Sequence, residues 1–126
     1  MALATAKERV VEMEIKHKNQ VFVPHGETLP QPAGEGVVRR VLAYGPEAMC
    51  VENVFQAGAV GAMHHHPHTQ VTYIVSGRFR FTVGDQVREV GPGDTLLKQD
   101  GVEHGCVCLE PGVMVDFFTP MREDFV

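Results

Sequence analysis

The sequence predicts an all-β domain, a small β-sandwich or barrel. Short apolar, β-branched runs recur at close spacing along the chain, and glycine and proline mark the breaks between them. One run alternates cleanly, with Phe79, Phe81 and Val83 on one face and Arg78, Arg80 and Thr82 on the other. At 126 residues, 44% hydrophobic and 21% charged, the chain is long enough for one real core and has an ordinary globular balance.

The elements follow in order. Val11, Met13 and Ile15 alternate with charges and favour a strand, while Lys7–Met13 could equally begin a helix. His25–Gly36, with Pro30, Pro32, Gly34 and Gly36, reads as a lead-in loop. Residues 1–35 are therefore taken as an N-terminal extension and lead-in, and residues 36–126 as the barrel. Val37–Tyr44 and Met49–Gln56 are strands about a Gly45-Pro46-Glu47 turn, and Thr69–Ser76 and Arg78–Val83 are two more. Gly84-Asp85 makes a hairpin into Gln86–Val90, and Gly91-Pro92-Gly93-Asp94 is the next turn. Thr95–Leu97, His104–Leu109 and Val113–Phe118 complete the set. No repeat of fixed period and no low-complexity tract interrupts them.

Several function classes are excluded at this level. The formal net charge is -5 and basic residues occur only in pairs such as Arg39-Arg40, so there is no footprint for nucleic acid. No apolar run approaches the ~20 residues of a membrane span. The first twenty residues carry Lys7, Glu8, Arg9, Glu12 and Glu14 and lack the apolar core of an export signal, which points to a cytoplasmic protein. Cys50, Cys106 and Cys108 are an odd count, and Cys106 and Cys108 are too near each other for a relaxed disulfide within one strand. They read as reduced, small apolar side chains, with metal binding beside His104 as the alternative.

His64-His65-His66-Pro67-His68, followed by Gln70, is the densest chemical signal in the chain. In a regular strand His64, His66, His68 and Gln70 share one face. Neutral imidazole is a common ligand for zinc, copper, iron and nickel. His65 has the opposite parity, and His68 is expected to line the pocket or its mouth.

The spacing around these residues resembles the cupin superfamily. Gly58, His64, His66, Gln70 and Gly77 match that family's first motif (Gly, five residues, His-x-His, three or four residues, Glu, six residues, Gly), with Gln70 in place of Glu. Gly93, Gly101 and His104 fit the second motif, with Gln99 replacing a Pro and Cys108 an Asn. The resemblance implies a single-domain cupin β-barrel, a jelly-roll-like double-stranded β-helix. It also implies a divalent ion, nickel, zinc, iron, manganese or cobalt, held by His64, His66, Gln70 and His104. A neutral Gln in place of Glu would leave that ion with more positive charge, a stronger Lewis acid held less tightly.

Gly36–Tyr44, His64–Tyr73 and the ending Asp116-Phe117-Phe118-Thr119-Pro120-Met121-Arg122-Glu123-Asp124-Phe125 are more specific. They look like the small cupins of pectin and alginate breakdown, the KdgF-type uronate-processing proteins. That resemblance implies metal-dependent opening of 4,5-unsaturated monouronates to linear 5-keto uronates. Asp116 would be its acid/base group, Phe118 an apolar wall and Arg122 the clamp for the sugar acid's carboxylate. Met114, Asp116 and Phe118 share strand parity, and one of Arg39 and Arg40 faces the barrel. Another cupin metalloenzyme, a dioxygenase or a sugar isomerase, and a non-catalytic sugar-binding cupin are the alternatives. Analogy with small cupins also gives a homodimer as the expected assembly, with the first twenty residues as a possible oligomerisation strand.

Overall fold

The computed structural model describes residues 14–126. The expectations for Lys7–Met13, Val11 and Met13 lie outside the described residues. Ile15 has no regular structure and packs against a buried cluster formed by Val41, Met49, Val51 and Phe118.

The strands are β1 (Pro30–Pro32), β2 (Val37–Gly45), β3 (Ala48–Phe55), β4 (Val60–His64), β5 (Thr69–Val83), β6 (Gln86–Val90), β7 (Thr95–Lys98) and β8 (His104–Thr119). The main path across the sheet is β1-β2-β3-β8-β5-β6, with β4 added on β8 and β7 on β5. All pairings are antiparallel. Among the described residues no helix is long and apolar enough to cross a membrane.

Three local readings of the sequence are corrected. First, Thr69–Ser76 and Arg78–Val83 are one strand, and so are His104–Leu109 and Val113–Phe118. The long β5 and β8 pair from Thr69 opposite Thr119 to Val83 opposite His104, with register shifts around Ser76 and Arg78. Glycine bends these strands without ending them. Gly77 has φ +80°, and a Cβ there would lie 2.6 Å from the Gly112 Cα and the Pro111 carbonyl oxygen. Gly77→Ala is therefore expected to cost about 1–3 kcal/mol or more, read as a lower midpoint in denaturant. Second, Pro30–Pro32 pairs with β2 inside the expected lead-in loop. Prolines are tolerated there because β1 lies at the sheet edge.

Third, the histidine run is not one regular strand. β4 ends at His64 and β5 begins at Thr69, with a bend at Pro67-His68. Pro67 has no N–H to offer a ladder, so His66 and His68 are aimed by the bend and not by strand parity.

Inward positions form two buried clusters. One holds Val37, Phe55, Ile74, Phe79, Phe81 and Met114. The other holds Val41, Tyr44, Met49, Val51, Phe118 and Met121. A cavity of about 210 Å³ is lined from both, by Phe55, Phe81 and Met114 on one side and Phe118 on the other.

Candidate metal centre and active site

His64 reaches the cavity from the end of β4 and His104 from the start of β8, where the two are Cα partners. The His64 and His104 ring centroids are 4.3 Å apart, and His66 lies 4.9 Å from His104 and 5.6 Å from His64. One ligand nitrogen from each of the three falls within 4.8 Å of the others. His64 Nδ1–H donates to the Ala62 carbonyl at 2.8 Å, and His104 Nδ1–H to the Val102 carbonyl at 3.0 Å. Each bond fixes a tautomer that leaves Nε2 bare, the usual arrangement of an imidazole that ligates a metal. The bare His104 Nε2 is buried and has no partner among the described residues.

Gln70 extends the set. Its Oε1 is 2.9 Å from His66 Nε2, close to the roughly 3 Å between two atoms bound at right angles to one ion at about 2.1 Å. The donors therefore fit a divalent metal, as three imidazoles and one amide oxygen. His65 is exposed, and His68, whose ring lies 5.3 Å from that of His66, donates from Nε2–H to the Met121 carbonyl at 3.1 Å.

Burial drives the imidazoles toward the neutral, ligand-competent form. It lowers the His104 pKa from 6.5 to about 4, with smaller opposition from the Val102 hydrogen bond. It lowers His66 in the same direction, partly offset by Gln70. The unfolded chain then takes up these protons first on acidification. The metal-free protein is expected to hold this part of its stability above about pH 6.5 and to lose up to ~3 kcal/mol of it by about pH 4. Thermal melts across that window check the sign.

Behind Gln70 lies a buried carboxylate. Met114, Asp116 and Phe118 all turn inward on β8. Asp116 Oδ1 accepts from Gln70 Nε2 at 2.8 Å and from the Thr72 hydroxyl, and Oδ2 accepts from Asn53 Nδ2 at 2.7 Å. The amide of Gln70 thus joins the histidine cluster to the carboxylate.

Cationic groups reach the cavity on two sides. Arg39, the inward member of the Arg39-Arg40 pair, donates from Nε to Gln31 Oε1 at 3.1 Å and stacks 3.7 Å from the centroid of the Phe125 ring. Arg40 instead donates to the Thr28 carbonyl. Arg122 lines the cavity and packs over Phe118 and Phe125, and its fork is engaged by Asp124 through Nε at 3.0 Å and Nη2 at 2.8 Å. Lys98 is buried, and its Nζ donates to Thr72 Oγ1 at 2.9 Å. Burial pushes its pKa down, while the Asp116 carboxylate holds it up.

Asn53, Thr72 and Lys98 were not singled out in the sequence, although strand parity marks them. Asn53 shares its face with Met49, Val51 and Phe55, Thr72 with Gln70 and Ile74, and Lys98 with Leu96. A polar residue at an inward position is the signal.

A family model described as the cupin domain matches residues 52–118. The pectin degradation protein KdgF of Dickeya dadantii is 33% identical over 102 residues, 79% of this chain and 93% of that protein.

The chain belongs to the cupin family.

Its kinship with KdgF extends to solved cupins. The structure of KdgF from Halomonas sp. superposes with a TM-score of 0.79 at 34% identity, covering 83% of this chain and 99% of that one. An RmlC-like cupin from Shewanella frigidimarina gives a TM-score of 0.82 at 36% identity, covering 86% and 97%. This cupin keeps its three cysteines as free thiols, and Cys106 lines the cavity. Burial raises that thiol to about 11, which disfavours the thiolate a metal would need.

Proposed function

We propose that this cupin opens 4,5-unsaturated monouronates to linear 5-keto uronates in the breakdown of pectin or alginate, with a divalent metal as cofactor. The observation that carries the reading is Gln70. Its oxygen lies with the histidine triad and its amide nitrogen holds Asp116. A candidate metal site and a carboxylate therefore flank the same small cavity, and the relationship to a pectin degradation protein supplies the substrate class.

The chemistry needs few parts. In the closed sugar the ring oxygen sits on an alkene carbon and is a latent enolate. Asp116 takes the proton of the C1 hydroxyl, the C1 carbonyl forms, and the bond from C1 to the ring oxygen breaks. The electron pair leaves with that oxygen as an enolate, and the proton returned to C4 gives the ketone. No oxidant and no net proton is required. A divalent ion on His64, His66, Gln70 and His104 supplies positive charge where the oxyanion develops. Gln70, Thr72 and Asn53 hold Asp116 in register for the transfer. Arg122 exchanges its Asp124 partner for the substrate carboxylate, and Phe118 provides an apolar wall.

The cavity, about 210 Å³, has the room one sugar acid needs. A homodimer is also proposed. Val71, Tyr73, Leu97 and Phe117 are exposed on neighbouring strands of one outer face, a patch suited to a second copy. The ring-opening reading is tested by adding metal-loaded protein to an unsaturated monouronate and following the alkene absorbance. Loss faster than the spontaneous rate, abolished by chelation, is expected. Loss at the spontaneous rate with metal bound rejects the reading.

A further inference from the structure

Lys98 is the buried charge to which the proposed reaction gives no task. It is 2% exposed, and among the described residues its ammonium has one hydrogen-bond acceptor, Thr72 Oγ1. An ammonium carries three donors, and burying one with so few acceptors is costly unless a negative charge stands near. Thr72 passes the contact on, donating to Asp116 Oδ1. The face of Phe81 is 4.7 Å from Nζ, and the other titratable groups that bear on Lys98 are His104 and Cys106. An imidazole carries no negative charge in either of its ordinary forms, and burial disfavours the thiolate of Cys106. Asp116 is thus the one formal negative charge in this set.

The charge balance has a consequence for the metal centre. His64, His66, Gln70 and His104 are all neutral donors. With Asp116 uncompensated, a carboxylate hydrogen-bonded to Gln70 would offset part of the ion's charge. We infer that Lys98 sets the charge preference of this site: by balancing Asp116 through Thr72, it leaves an ion on the neutral donors free to attract an anionic ligand. Lys98 is in this sense a specificity-determining residue, acting by the positive charge it places beside Asp116. The inference rests on the metal-centre part of the proposed function and not on the ring-opening reaction.

Two effects of opposite sign follow. Lys98→Met removes a cation near a cation, so metal should bind more tightly. The same change leaves the cavity one charge less positive, so an anion should bind less tightly. A packing role for Lys98 moves both in the same direction or neither.

The experiment uses the full chain and two probes. Zinc affinity is measured by competition with a chromophoric chelator, and D-galacturonate and D-galactose are titrated calorimetrically into zinc-loaded protein. For Lys98→Met, zinc is expected to bind about tenfold tighter and galacturonate about tenfold weaker, the order a unit charge several ångströms away supports at an effective dielectric near 20. Galactose binding should not change, and Lys98→Arg should match the wild type in all three. Unchanged or weakened zinc binding in Lys98→Met, a Lys98→Arg that behaves like it, or a wild type that does not prefer galacturonate to galactose overturns the inference. If Lys98→Met does not fold, Asp116→Asn is compared with Lys98→Met/Asp116→Asn. The added change should again tighten zinc, and equal affinities overturn the inference. None of these readouts uses turnover, so opposite shifts without ring opening refute the proposed reaction and leave Lys98's role standing.

Discussion

Asp116→Asn is expected to lower kcat on an unsaturated monouronate by about 10²–10⁴-fold, the usual contribution of a positioned acid/base group, with metal stoichiometry unchanged. The substitution keeps the shape of the side chain and removes its capacity to take and return a proton. It does disturb the hydrogen bonding, because Gln70, Thr72 and Asn53 all donate to this carboxylate. An asparagine can keep its oxygen toward Gln70 and Thr72 and turn its amide toward Asn53, whose own amide can rotate to accept. The fold should therefore survive with a modest loss of stability, on the order of 1–3 kcal/mol if one donor stays unpaired. A thermal melt beside the kinetics separates the two effects. A kcat within threefold of wild type in a folded, metal-loaded variant removes Asp116 from the mechanism.

The second large effect is at His104. His104→Ala removes a buried nitrogen with no other partner among the described residues, and metal affinity is expected to fall on the order of 100-fold or more, since lesser changes around a ligand already cost 10–100-fold. Ring opening should fall with it to the spontaneous rate. The metal-free variant should also lose much of the acid sensitivity described above, because the group whose pKa is held at about 4 is gone. Metal analysis after dialysis and melts near pH 5 read the two consequences separately. Full metal occupancy in His104→Ala would place the ion elsewhere.

Much of this architecture could be read from residue order because it rests on local rules. Alternation placed Phe79 and Phe81 in the core and turned Asp116 inward with Met114 and Phe118. The resemblance to the two cupin motifs named His64, His66 and His104, which the fold brings together although His104 is distant in sequence. The rest depended on long-range geometry. The bend at Pro67-His68 takes His68 to the Met121 carbonyl, although a regular strand would have put it beside Gln70. Gly77 and Gly112 resemble turn residues, yet they let two long strands pass close together and continue. The Lys98–Thr72–Asp116 chain links three strands, and nothing in the Thr95–Lys98 segment by itself names its partners. The pairing of Arg122 with Asp124 needed the C-terminal turn to be placed before it could be distinguished from a free guanidinium.

The central claim is a redox-neutral, metal-dependent ring opening by a cupin site. The most direct measurement is a proton NMR time course of unsaturated monouronate with metal-loaded protein in deuterated buffer, with dissolved oxygen monitored in the same vessel. The account predicts a linear 5-keto uronate carrying deuterium at C4, formed faster than in the protein-free control and with no oxygen consumed. Oxygen uptake coupled to substrate loss, or product that forms only at the control rate, would contradict it.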